Sequence, residues 1–235
     1  MNTAPYVSSA SPIGAEHLAD GLWLLRGRPP HAFNVYVMGD VLLDAATRHA
    51  AQRIMRQVRG VPLHSHVLTY AHLDHMGSSH EICETLRLPL LCGAADVAAV
   101  ESGGRDRLAE MPRVVRLEHR LLAGPGHPVS ATLKEGDEAA GFVVLEVPGH
   151  SPGHLAFWRE RDRVLVVGDV LFNLNPMTGR PRLQLPPALL TPDPATNLES
   201  ARRLAALRPE IVCFGHGPPL CDGERFRSFV AGAKV

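Results

Sequence analysis

A dense cluster of histidine and aspartate constrains this chain more than any other feature. Residues 69–77 read Thr-Tyr-Ala-His-Leu-Asp-His-Met-Gly, which brings His72, Asp74 and His75 within four positions. The cluster directly follows a short apolar run at 66–69 that is typical of a β-strand. Because unpaired polar side chains are costly to bury, this density is hard to explain as structural packing alone.

Three later segments also place histidine or aspartate beside glycine at the end of a β-type run. They are 149–154, with His150 and His154, 168–172, with Asp169, and 215–217, with His216. Loops at strand ends can converge on one point, and imidazole and carboxylate are the ligands that Zn²⁺ prefers. Together the four segments predict a metal centre.

The order of β-type and helical runs predicts an α/β fold in two similar halves. β-type runs at 21–44 precede a helical pattern at 46–58, and β-type runs return between 130 and 172 before a helix that begins at Asp193-Pro194. The residues between the strand at 66–69 and a helix beginning at 78 are predicted to be a loop. We expect one domain over 1–235, with halves at about 18–128 and 129–235.

Charge and hydropathy exclude several classes of protein. Lys and Arg total 24, as do Asp and Glu, so the electrostatic footprint of a nucleic-acid binder is missing. No apolar run approaches the roughly 20 residues of a membrane helix, and the N-terminal stretch lacks a secretory pattern. We expect a cytoplasmic protein with no nucleic-acid partner and no membrane partner; the sequence leaves its oligomeric state open. The four cysteines are expected to be buried free thiols, namely Cys83, Cys92, Cys213 and Cys221.

These segments resemble the signature of the metallo-β-lactamase superfamily. Its first motif reads Thr-His-x-His-x-Asp-His, and its later His, Asp and His follow in the same order as His150, Asp169 and His216. Asp44 is similar to the aspartate that the family carries near the end of an early strand. The resemblance extends from about 21 to 219 and implies a four-layer αβ/βα sandwich with a metal centre at one edge.

The resemblance implies two metal positions, which we call site one and site two. Site two would be formed by Asp74, His75 and His216, site one by His72 and His150, and Asp169 would bridge them. Tyr70 stands where the family has the first histidine of site one. Site two is therefore complete and site one is not.

Tyr70 allows three interpretations, because a phenol with a pKa of about 10 is a poor neutral ligand for Zn²⁺. It packs and leaves site two as the working metal site; or it binds a harder ion such as ferric iron as a phenolate; or it hydrogen-bonds substrate or water beside a dinuclear centre. The first interpretation predicts that site two is the stronger site.

The leading hypothesis is a metal-dependent hydrolase of a small ester, thioester or lactone. It holds one or two Zn²⁺ ions, with iron as another candidate metal, and its candidate catalytic residues are Asp74, which would orient the attacking water, and Tyr70. The alternative is a mononuclear iron oxidoreductase of the persulfide-dioxygenase kind, which the loss of the first histidine disfavours. A third hypothesis is a family member that binds without turnover.

Residues outside the motifs carry weaker predictions. Arg180 and Arg182 lie in a Pro-rich stretch expected to approach the site, where they would bind a substrate carboxylate or phosphate. His154 is predicted to make a structural hydrogen bond. His80 is expected near the surface or beside the site, and His127 has no motif around it.

Overall fold

The computed structural model describes residues 10–106, 108 and 113–235. In chain order the strands are β1 Glu16–Ala19, β2 Leu22–Leu24, β3 Tyr36–Met38, β4 Val41–Leu43, β5 Ser65–Val67, β6 Leu90–Gly93, β7 Ala131–Leu133, β8 Glu138–Ala139, β9 Phe142–Glu146, β10 Leu155–Arg159, β11 Val164–Val166, β12 Phe172–Asn173, β13 Leu183–Gln184 and β14 Ile211–Cys213. The helices are α1 Ala51–Gln57, α2 Leu73–Met76, α3 Ser79–Leu86, α4 Val97–Ser102, α5 Arg113–Leu122, α6 Pro194–Ala206 and α7 Gly223–Gly232.

Within the described residues, β1 to β7 form one sheet in chain order, and a second sheet runs β14-β11-β10-β9-β8. The first sheet is antiparallel up to β4 and parallel from β4 to β7, so β7 belongs to it although it follows the expected midpoint. In the second sheet β11 and β14 are parallel. Strands β12 and β13 form a separate hairpin.

Alternating side chains build three apolar layers between the backbone layers. On β3, Tyr36 and Met38 face the core between the two sheets, while Val37 faces the helices outside the first sheet. On β10, Phe157 faces the intersheet core and Trp158 faces the core under α6 and α7. This period of two packs helix, sheet, sheet and helix in order. The predicted four-layer αβ/βα sandwich is confirmed.

The starts of two helices show where local sequence signals are sufficient to predict a helix boundary and where they are not. The side chain of Asp193 accepts a hydrogen bond from the backbone N–H of Thr196 at 2.9 Å, which confirms the predicted start of α6 at Pro194. The helix expected from residue 46 begins only at Ala51. Its first expected turn is prevented because Ala46 has a φ of +53°, in the left-handed region.

Three sequence expectations need correction or addition. The stretch expected to be a loop after β5 contains the short helix α2, and α5 was not expected. Cys221 is exposed, whereas Cys83, Cys92 and Cys213 are buried free thiols as predicted. Among the described residues, no helix combines the length and the apolar character needed to cross a bilayer.

Candidate metal centre

The candidate ligands lie where strands of both sheets end. Tyr70 and His72 follow β5, Asp74 and His75 lie on α2, His150 follows β9, Asp169 follows β11, and His216 follows β14. β5 is parallel to β4, and β14 is parallel to β11, so the carboxyl ends of these pairs bring their loops to a common edge. All four sequence segments meet there.

The carboxylate of Asp169 is at the centre of the cluster and is almost completely buried. Its Oδ2 accepts a hydrogen bond from the hydroxyl of Tyr70 at 2.6 Å and lies 3.0 Å from Nε2 of His216. Nε2 of His75 lies 3.5 Å from Oδ1, and Nε2 of His150 lies 3.7 Å from Oδ2. One carboxylate therefore faces residues assigned to both sites.

The site-two residues converge on the same space. One ligand atom from each of Asp74, His75 and His216 lies within 4.8 Å of the others, and Nε2 of His216 is 3.2 Å from Oδ2 of Asp74. The close approach requires glycine at position 215. A Cβ there would stand 2.0 Å from Oδ1 of Asp169, so any larger residue would displace the carboxylate.

Each of three imidazoles is oriented by an acceptor at its Nδ1 atom. The acceptors are Asp44 for His75 at 2.8 Å, Thr191 Oγ1 for His150 at 3.0 Å, and the backbone carbonyl of Ala32 for His216. The hydroxyl of Thr191 donates to the carbonyl of Pro187, so its oxygen accepts from His150. In each ring Nδ1 carries the donated proton, and Nε2 is left to face the carboxylates.

Unsatisfied polar atoms indicate what the cluster can hold. Within the part of the chain that the structure describes, Nε2 of His75, Nε2 of His150 and Oδ1 of Asp169 are buried without a hydrogen-bond partner. Such atoms are rare in folded proteins because leaving them unpaired is costly. Imidazole nitrogen and carboxylate oxygen are ligands for divalent ions, so the donor set fits a metal ion.

The electrostatics of the cluster favour a cation between its carboxylates. Burial alone would raise the pKa of Asp169, but the adjacent His216 and His75 outweigh burial and hold that pKa well below its usual range. In the opposite sense, Asp169 and Asp74 together outweigh burial and raise the pKa of His216 to about 10. Asp169 and Asp44 likewise outweigh burial and raise the pKa of His75 well above its usual value. A metal ion at this position would occupy a place where the fold already stabilises positive charge.

The site-one side of the cluster differs in charge. Burial lowers the pKa of His72, and burial together with His72 lowers that of His150. Tyr70 is completely buried, with its ring centroid 4.6 Å from that of His72 and 4.8 Å from that of His150. Burial, Asp169 and Asp74 raise the pKa of Tyr70 well above its usual value, so its phenol holds its proton and donates it to Asp169.

Asp96 joins two of the loops, although the sequence analysis did not single it out. Its carboxylate accepts from the backbone N–H of Ala71 at 3.0 Å, the hydroxyl of Ser151 at 2.6 Å and the backbone N–H of Gly153 at 2.9 Å. It thereby fixes the loop of His72 against the loop of His150. The only available signal was a lone acid in the Ala-rich stretch 94–100.

The remaining candidates occupy different surroundings. The predicted structural role of His154 is confirmed, because its Nε2 accepts the backbone N–H of Asp169 at 3.3 Å. Arg180 and Arg182 are exposed in the connection between β12 and β13. That hairpin starts at Phe172, whose ring centroid lies 4.6 Å from that of His216.

Comparisons with known proteins agree on a family. Residues 29–216 match the family model described as the metallo-beta-lactamase superfamily. The chain is 30% identical over 224 residues to "Probable metallo-hydrolase YflN" of Bacillus subtilis, covering 85% of this chain and 80% of that protein. It is 36% identical over 115 residues to a hydroxyacylglutathione hydrolase of Methylococcus capsulatus, covering 47% of this chain and 35% of the relative. A solved structure titled TTHA1623 in a di-iron-bound form is 30% identical, with a TM-score of 0.58 and coverage of 89% of this chain and 94% of that one.

Proposed function

The chain belongs to the metallo-β-lactamase superfamily and is a hydrolytic metalloenzyme; we propose that it works with one central ion and cleaves a small acyl compound, an ester, thioester or lactone. The observation that carries the proposal is the asymmetry of the cluster. Around Asp169, the side of Asp74, His75 and His216 is complete and attracts a cation. The opposite side contains a phenol in place of an imidazole.

Site two would hold the ion through Asp74, His75, Asp169 and His216. When bound there, a divalent ion such as Zn²⁺ supplies hydroxide near neutral pH and polarises a substrate carbonyl. Asp44 and the carbonyl of Ala32 keep the two imidazoles in place through their Nδ1 protons.

Asp74 is the carboxylate that we assign to handling the attacking water. Its side chain is 19% exposed, whereas that of Asp169 is 2% exposed, so Asp74 faces the side from which water and substrate arrive. Asp169 has its second oxygen held by Tyr70 and His216 and is fixed in the interior. The two carboxylates thus take different tasks, one orienting a mobile reactant and the other holding charge.

Tyr70 would act as a neutral hydrogen-bond donor, which supports the first of its three interpretations. Its hydroxyl is already used at 2.6 Å from Asp169, and its raised pKa opposes a phenolate. His72 and His150 remain beside it as unprotonated bases of lowered pKa, which would take a proton from the attacking water and pass it to the leaving group. Iron stays a candidate metal because a similar solved structure is titled as di-iron-bound.

We infer an acyl thioester as the first substrate to test, since one relative is named a hydroxyacylglutathione hydrolase. Arg180 and Arg182 would bind a carboxylate of that substrate, because the hairpin that carries them begins at Phe172 beside the ring of His216. Replacing both with alanine should raise KM for an anionic substrate while leaving kcat for a neutral ester unchanged. Equal KM values in wild type and variant would remove the arginines from the proposal.

The decisive experiment measures metal content and hydrolysis in the same preparations. Wild type, Asp74→Ala and His216→Ala are each loaded with Zn²⁺ or Fe²⁺ and assayed on a panel of ester, thioester and lactone substrates. We expect both variants to lose the central ion and all hydrolysis, because each loses a ligand and the charge that acidifies water. His64→Ala is the matched control, since His64 is an exposed histidine paired with Asp40.

Two outcomes would contradict the proposal. Full metal content and rate in either ligand variant would show that the ligands are misassigned. Oxygen consumption with a glutathione persulfide by the iron-loaded enzyme, together with no hydrolysis of the panel, would favour the oxidoreductase alternative.

A further inference from the structure

A second group of ligand-type side chains lies outside the central cluster. His80 and Glu84 are one turn apart on α3, and His127 lies in the segment between α5 and β7. Nδ1 of His127 is 3.3 Å from Nδ1 of His80 and 3.7 Å from Oε1 of Glu84. All three ligand atoms lie within 4.8 Å of one another. We call these three residues the peripheral cluster.

We propose that the peripheral cluster binds one divalent transition-metal ion of the Zn²⁺ class, independently of the central site. In a tetrahedral zinc site with Zn–N bonds of about 2.0–2.1 Å, two ligand nitrogens stand roughly 3.3–3.4 Å apart. The two imidazole nitrogens already have this separation. The carboxylate of Glu84 lies 3.7 Å from Nδ1 of His127, and its side chain is 65% exposed and free to rotate toward a shared ion.

The two imidazole rings of the cluster approach each other without stacking. The ring planes of His80 and His127 are inclined at 72°, with centroids 5.3 Å apart, so the rings do not stack face to face. Because a ligand nitrogen binds an ion in the plane of its ring, inclined planes allow both rings to reach one ion.

The fourth position of such an ion would be open to solvent. His80 and Glu84 line a cavity of about 390 Å³ whose wall also includes Arg48, Gly77 and Pro125. Water or a small anion from this cavity completes a four-coordinate site with three protein ligands. The ion is therefore expected to be exchangeable and removable by chelators.

An ion there would fasten a segment that supports the central site. The segment of His127 also contains Gly124, where an added Cβ would stand 2.0 Å from the carbonyl oxygen of Gly77. Gly77 directly follows α2, the helix of Asp74 and His75. Joining His127 to α3 would hold this close backbone contact in place and raise the melting temperature.

The test titrates Zn²⁺ into chelator-stripped full-length protein whose central site is removed by Asp74→Ala and His216→Ala. We expect one ion per chain to bind and to raise Tm. Adding His127→Ala should abolish both the binding and the Tm shift. Adding His64→Ala, at an exposed histidine outside the cluster, should leave both intact.

A second measurement covers the case in which the double variant does not fold. In the wild-type background, His127→Ala should lower the number of bound Zn²⁺ ions by one, with circular dichroism confirming the fold. The proposal is overturned if the folded double variant binds no zinc at micromolar concentration, or if His127→Ala leaves the metal count unchanged.

Discussion

Replacing Tyr70 with histidine should give the centre a second tightly bound ion. Nε2 of His150 lies 3.7 Å from Oδ2 of Asp169 and has no hydrogen-bond partner among the described residues. Two possible metal-ligand atoms therefore already face each other. His72 lies beside them, its ring centroid 4.7 Å from that of His150. The phenol of Tyr70 fills the remaining space and donates to Asp169. An imidazole is shorter and offers a neutral nitrogen.

The magnitude follows from the proton on the phenol. At pH 7 a group of pKa about 10 is deprotonated only at a cost of about 4 kcal/mol, which is roughly a thousandfold in affinity. The raised pKa of Tyr70 adds to this cost. A neutral imidazole avoids the cost, and Tyr70→His should therefore strengthen binding of the second ion by roughly a thousandfold.

The assay counts Zn²⁺ by calorimetric titration in a His127→Ala background, so that only the central sites are measured. We expect one tight ion with Tyr70 and two with Tyr70→His. The control is Tyr70→Phe, which removes the hydroxyl without supplying a nitrogen and should still bind one ion.

Three results would refute this reasoning. Two tight central ions with Tyr70 present would mean that the phenol stands beside a dinuclear centre. A second ion in Tyr70→Phe would mean that the hydroxyl excludes the ion sterically. Bound iron with a phenolate-to-metal absorption band that vanishes in Tyr70→Phe would favour the phenolate interpretation.

Two further predictions concern residues around the centre. Asn tolerates the φ of +61° at position 44, but Asp44→Asn no longer fixes the Nδ1 proton of His75. We expect about 10–100-fold weaker binding of the central ion by chelator competition. Equal affinities for Asp44→Asn and the partly exposed control Asp40→Asn would contradict this role. Burial lowers the pKa of His66 to about 4. Below about pH 6.5 the unfolded chain binds a proton at this histidine, whereas the folded protein does not. The free energy of unfolding therefore falls as the pH drops from 6.5 to 4. Urea unfolding of metal-free protein at pH 7 and 4.5 should show a loss that is about 2–3 kcal/mol smaller in His66→Gln; equal losses would refute the assignment.

Local sequence patterns were sufficient for much of the fold. Short apolar runs predicted the strands β3, β10 and β11. A strand in the middle of the sandwich has an apolar core on each side of its sheet, so consecutive side chains that point to opposite sides are both apolar. The Asp193-Pro194 pair predicted the start of α6, because that signal acts over three residues. The helix α2 was missed, since its four residues are too few for a helical period to appear.

The candidate ligands were also accessible from the sequence, because only a few side-chain types bind metal ions and they occurred in dense segments. The contacts that fix the orientation of each ligand could not be predicted from the sequence. The partner of His75 lies 31 residues away, that of His150 lies 41 residues away, and that of His216 lies 184 residues away. No periodicity links such positions.

The sequence by itself determined the chemistry of this protein: which donors are available, and that Tyr70 replaces one of them. Only the tertiary structure decided how those donors are used. It gave the phenol a carboxylate acceptor in Asp169, and it brought His127 beside His80, although no motif surrounds His127. The physical reason is that periodicity records which side of each element is apolar. Contacts between loops depend on how the two sheets pack and where their strands end.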